Sequence, residues 1–275
     1  MRMRVQAGLL AGLAAVMLTT PVLALKFAPT RLVLSERNRT AVLRIFNSGE
    51  EPDRVRFEWQ LMRMEPKTGL LKEVPDGEDL PEGIEPSHDF TIYAPRQAVV
   101  PPGGRQIIRF MVRPPKDLPP GEYRSHLVVT EEPQQRNVDT GNDDISVTLR
   151  TVRQTTLPVI YRQGELSAAV SISDAKLVDR NGTPTLRVTV NREGKRSIYA
   201  DGEVVWTGPQ GEERVLRDLR GLGVYPEVSV RVFNHKLNPP EDIDLSGGTI
   251  HYRLFEHTDN NRQGPLLAET EVRVP

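Results

Sequence analysis

Side chains able to do chemistry are few in this chain and poorly grouped for it. The five histidines, His88, His126, His235, His251 and His257, are scattered. None forms a HExxH or comparable cluster, in which two imidazoles share one face around a metal. There are no cysteines, which removes thiolate ligands and thiol nucleophiles. No G-x-S-x-G elbow occurs, and "PPGG" (101–104) runs into a strand-like segment rather than a helix, so it is a turn and not a phosphate cradle. The loop "PDGEDLPEGIEPSHD" (75–89) is rich in carboxylates. It lacks the D-x-D-x-D-G order of a calcium loop and reads as a solvated loop. Trp59 and Trp206 lie in strand patterns and read as core residues, not as a platform for sugars. The expectation is a protein that is not an enzyme, with no catalytic residue, no cofactor and no metal. Its work lies in binding or assembly, and the question is which surface binds.

The elements that would build such a surface are strands. Charged residues make up 27% and hydrophobic residues 37% of 275, as in a folded soluble chain. The net charge of −1 gives no attraction to nucleic acid. The N-terminus is different in kind. "MRMR", the short apolar "VQAGLLAGLAAVMLTT" and "PVLA" form a signal peptide, cut after Ala24 by the small-residue rule. Cleavage leaves 34 basic and 37 acidic side chains, a net charge of −3, and no segment able to insert in a membrane. Beyond it, strand-like runs recur between Pro- and Gly-rich turns. Among them are "RTAVLRIFN" (39–47), "RVRFEWQLMRM" (54–64), "RQIIRFMVR" (105–113) and "EYRSHLVVTEE" (122–132). The polar "PQQRNVDTGNDD" (133–144) reads as a mobile connection. "RQGE" (162–165) reads as a joint, after which a second β series runs to the C-terminus. The fold class is all-β: two immunoglobulin-like sandwiches, residues 25–162 and 163–275.

One run stands out. "ISVTLRTVRQTTLPVIYR" (145–162) alternates apolar and polar for about three times an average strand length. Lying at a sheet edge, it would be a pairing hazard. Its odd positions begin Ile145, Val147, Leu149 and Thr151, a row of side chains suited to pockets on one face. Arg153 could not enter an apolar pocket cheaply. The apolar row resumes at Leu157 and Val159, inside the domain's own core. Taken alone, the alternation also fits an ordinary half-buried sandwich strand. In "GEYRSHLVV", Tyr123, Leu127 and Val129 are expected to face inward, with Arg124 and His126 on the opposite face.

Several stretches together resemble a known family. "PTRLVL", "RIFNSGEEP", "IYAPRQAVVPPGGRQIIRFMV", "LPPGEYRSHLVV" and the long strand ending "PVIYR" follow the order seen in PapD-like periplasmic chaperones of the chaperone–usher pilus pathway. The resemblance covers residues 25–165 and is slight beyond them. It implies two sandwiches set at an angle and a periplasmic protein that caps pilus or fimbrial subunits by lending them a strand, here residues 145–151 through Ile145, Val147, Leu149 and Thr151, without ATP or metal, for delivery to an outer-membrane usher. It also implies an anchor for the subunit's C-terminal carboxylate. The arginine of that anchor falls on Arg31 in "PTRL", a side chain able to hold a carboxylate in two places at once. The family's cleft lysine has no counterpart: its place falls at or beside Pro158. Arg162 and Arg153 are the charges left to replace it, and the missing lysine suggests a divergent or archaic-type member. A self-capping homodimer is open to the free protein, because two bare edges can pair. The rival reading is a structural fibre subunit or adhesin of the same pathway. That would call for an N-terminal donor extension and one incomplete sandwich. A carbohydrate-active enzyme would need a carboxylate pair that the sequence does not display.

Overall fold

In the first half of the chain, apolar side chains recur at every second residue. A strand sends alternate side chains to opposite faces, so each such run can bury one face and wet the other. The computed structural model describes residues 25–75, 77–138, 147–240, 243, 245, 247–258 and 263–274, with 133–138 and 147–151 described through their backbone. The signal-peptide reading of residues 1–24 and the assignment of Ile145 lie outside the described residues.

The first eleven strands are β1 (Leu25–Ala28), β2 (Leu32–Ser35), β3 (Thr40–Asn47), β4 (Asp53–Gln60), β5 (Met62–Met64), β6 (Leu71–Glu73), β7 (Thr91–Ala94), β8 (Gln97–Val100), β9 (Arg105–Val112), β10 (Gly121–Val138) and β11 (Val147–Gln163). They form a sheet ordered β1-β3-β9-β7, a second ordered β2-β11-β10-β4-β8, and the small hairpin β5-β6. The two larger sheets close over one core. Leu43, Ile45, Ile108 and Phe110 come from one face, and Phe57, Leu127, Val129, Leu157, Val159 and Tyr161 from the other. Trp59, partly buried, packs against this core beside Tyr93 and Phe110.

The next seven strands are β12 (Ala168–Arg180), β13 (Thr183–Gly194), β14 (Ile198–Thr207), β15 (Glu213–Val224), β16 (Val230–Lys236), β17 (Thr249–Glu256) and β18 (Leu266–Arg273). They make sheets β12-β13-β16 and β15-β14-β17-β18, with Leu186, Val188, Trp206, Phe233, Ile250 and Tyr252 between them. The architecture is two all-β sandwiches, and among the described residues the one helical element is a short 3-10 turn, His88–Phe90.

Two features differ from the sequence reading. Residues 133–138, expected as a mobile connection, continue β10 and pair with β11 as far as Val138↔Val147, after a register shift between Glu131 and Gln134. "PQQRNV" carries no apolar alternation. Its strand state comes from the partner backbone, which a periodicity reading cannot see. The acidic loop 75–89 is also more than solvated chain. Ile84 and Ser87 are buried, the Ser87 amide donates to Ser125 Oγ at 3.0 Å, and Ser87 Oγ donates to the Val159 carbonyl at 3.1 Å. Gly83 adopts φ +87° with the Glu227 backbone nitrogen 2.9 Å from where a Cβ would stand. Only glycine fits there, so the loop seats one sandwich against the other.

Candidate binding site: an open strand edge ending at an arginine

Pro29 has no N–H to give to a ladder, and β1 stops at Ala28. The bend 29–31 carries the chain from the first sheet to the second, where β2 begins. β2 pairs in parallel with β11 over only Leu32↔Val159 to Ser35↔Arg162. On its other side β11 is paired with β10 along nearly its whole length. From Val147 to Pro158, therefore, no strand among the described residues covers the second side of β11. The bare edge runs past the 145–151 portion that the resemblance implies. Twelve residues at about 3.3 Å each make an edge of roughly 40 Å.

Val147, Leu149 and Thr151 lie on this edge, opposite Val138, Arg136 and Gln134 of β10. Further along the same strand Val152 is 55% exposed, while Leu157, Val159 and Tyr161 enter the first core. Arg153 is engaged along the strand. Its Nε pairs with Glu131 Oε2 at 3.3 Å.

Arg31 stands immediately before β2, level with Pro158 in the parallel register, so it marks where the bare edge stops. Its guanidinium lies over the ring of Tyr199, with Cζ 4.1 Å from the centroid. Tyr199 belongs to β14 of the second sandwich. Among the described residues no carboxylate or carbonyl hydrogen-bonds this guanidinium. Burial first, and then the positive charge of Arg162, push its pKa below the ordinary arginine value. Arginine nevertheless stays protonated, and a cation so placed gains from any anion that reaches it.

Arg162 is differently occupied. Its Nε donates to Glu122 Oε2 at 3.0 Å and its second nitrogen faces Ser197 Oγ at 3.4 Å. The same Glu122 oxygen accepts the Ser197 amide at 3.0 Å and hydroxyl at 2.9 Å. Glu122 cancels Arg162, so the local balance of Arg31, Arg162 and Glu122 is one positive charge. That suits one carboxylate.

Beside this site the two sandwiches are locked by polar groups. Arg124 and Glu227 are 3% and 4% exposed and form a two-pronged pair, at 2.6 Å and 3.1 Å. Arg124 also donates to the Met62 carbonyl at 3.3 Å, and its Cζ lies 3.7 Å from the centroid of Tyr225. Arg124 and His126 do leave the first core, as alternation requires, but they meet the second sandwich rather than water. His126 is fully buried with neither ring nitrogen hydrogen-bonded. Burial, aided by the Arg124 charge, lowers its pKa from 6.5 to about 3. The folded state thus holds the neutral ring. As pH falls below 6.5 the unfolded chain takes up the proton first, and stability is lost progressively down to about pH 3. This loss should reach about 2–3 kcal/mol at pH 4.5 relative to pH 7. His126→Leu should remove it, flattening the thermal midpoint between pH 7 and 4.5.

No protein-family model matches the chain, and no curated protein matches it. Solved structures similar to it include the YadV chaperone at 16% identity, covering 91% of this chain and 100% of that one, with a TM-score of 0.43. The Pseudomonas aeruginosa CupB2 chaperone follows at 14%, 91% and 100%, TM-score 0.43. The CsuC–CsuE chaperone–tip adhesion subunit complex of Acinetobacter baumannii stands at 11%, 91% and 99%, TM-score 0.44.

Proposed function

We propose that this chain is a periplasmic chaperone that holds pilus or fimbrial subunits by pairing the bare edge of β11 with a strand of the subunit, and hands them to an outer-membrane usher. The observation that supports the reading is the conjunction of the uncovered edge 147–158 with Arg31 at its end. A strand added there with its C-terminal carboxylate on Arg31 must run toward Pro158, parallel to β11. It then lies end to end with β2, which is also parallel to β11. Main-chain pairing supplies affinity regardless of sequence. Alternate side chains supply specificity, with Val147, Leu149 and Thr151 continuing the two-residue spacing of Leu157, Val159 and Tyr161. The carboxylate fixes register at one end. Without a subunit, the same edge can pair with that of a second copy.

The test is co-expression of the mature chain with candidate subunits. Leu149→Asp places a charge where an apolar side chain would enter the subunit, a cost of several kcal/mol. The expected result is loss of the co-purifying subunit with the thermal midpoint of the free protein unchanged. Undiminished capture would overturn the reading.

A further inference from the structure

We infer that Tyr199 of the second sandwich is a positioning residue for the Arg31 anion site. This rests on the anchor reading of Arg31. A guanidinium can be held in place by a carboxylate, but the carboxylate then consumes the charge and the donors. Stacking on an aromatic face holds the plane and leaves the in-plane N–H groups free for a two-pronged carboxylate contact. Arg31 shows the second arrangement, with its Cζ 4.1 Å from the Tyr199 centroid and no hydrogen-bonding partner among the described residues.

Tyr199 is itself braced. The His257 ring meets it edge-on, centroids 4.8 Å apart, and the His257 amide donates to the Tyr199 carbonyl at 3.0 Å. Gly221 adopts φ +67°, and a Cβ there would stand 2.8 Å from the tyrosine hydroxyl. Asp201 gathers this brace. It accepts from the Gly221 amide at 3.0 Å and from Arg220 at 3.3 Å, and lies 2.8 Å from His257 Nδ1. The second sandwich thus supplies a built shelf beneath a charge carried by the first. Anchoring would then depend on how the two sandwiches meet.

The test uses the mature chain and two synthetic strand peptides of alternating valine and threonine, one with a free C-terminal carboxylate and one with a C-terminal amide. The readout is the ratio of their affinities. Edge pairing contributes to both peptides, so the ratio isolates the anion site from the strand. Tyr199→Leu should lower the carboxylate preference roughly 3- to 30-fold, the span expected when a cation loses its aromatic face. Tyr199→Phe, which keeps that face, should hold the preference within about twofold. Tyr199→Met stands in if the leucine variant fails to fold. A leucine or methionine variant that keeps the full preference, while Arg31→Ala abolishes it, would overturn the role of Tyr199 and leave the anchor standing. No preference in the unmodified chain, or one untouched by Arg31→Ala, would overturn both.

Discussion

Arg124→Ala should destabilise the protein by about 3–5 kcal/mol, because removing one member of a buried ion pair leaves the other charge buried and uncompensated. The remaining carboxylate, Glu227, is 4% exposed. It would keep the Met64 amide as a donor, 3.1 Å away. It would lose both guanidinium contacts, and the Tyr225 ring would lose its cation. Chemical denaturation of the variant against the unmodified chain reads the effect directly. The double replacement Arg124→Met with Glu227→Leu removes both charges at similar volume and should recover most of the loss. A single variant within about 0.5 kcal/mol of the parent, the range of ordinary surface substitutions, would show that the pair does not hold the joint.

The second large effect concerns ligand rather than fold. Arg31→Ala should weaken binding of the carboxylate peptide by about 10- to 150-fold, the equivalent of losing a charge-assisted hydrogen bond of 1.5–3 kcal/mol. Binding of the matching amide should change little. Raising the salt concentration should weaken the carboxylate peptide in the parent and have little effect in the variant, since screening acts on the charge that Arg31 supplies. Arg162→Ala should behave differently. It frees Glu122, whose oxygen also holds Ser197 of the second sandwich, so stability should fall along with carboxylate preference. A pure binding defect in Arg162→Ala would mean that Arg162, not Arg31, is the anchor.

These residues also mark how far the sequence can be read. The long strand was legible because alternation and length need no partner to be seen. The two-sandwich architecture was legible for the same reason, whereas Arg31 in "PTRL" was marked only by the family resemblance. What completes the site was not legible. Tyr199 lies far along the chain in a strand whose pattern is ordinary, and no local signal ties it to Arg31. Arg124 and His126 occupy polar positions of an alternating strand, which periodicity assigns to the outer face. It cannot tell that the outer face is covered by another sandwich. The extent of the bare edge depends on where β2 starts and stops. That is fixed by Pro29 and the Ser35–Asn38 turn, in which the two backbones exchange hydrogen bonds at 2.9 and 3.1 Å, not by anything in β11 itself. The continuation of β10 through "PQQRNV" is likewise a property of the pair.

The central claim is that a partner strand adds to β11 and ends at Arg31. Residue-resolved hydrogen exchange of residues 25–275, alone and with the carboxylate peptide, tests it most directly. In an antiparallel ladder every second amide already bonds to the neighbouring strand, here β10. The account predicts new protection on alternate amides of residues 147–157, strongest near Thr156 and fading toward Val147 as a short peptide ends. Protection confined to the β7 or β8 edges, or uniform across β10 and β11 without alternation, would contradict it.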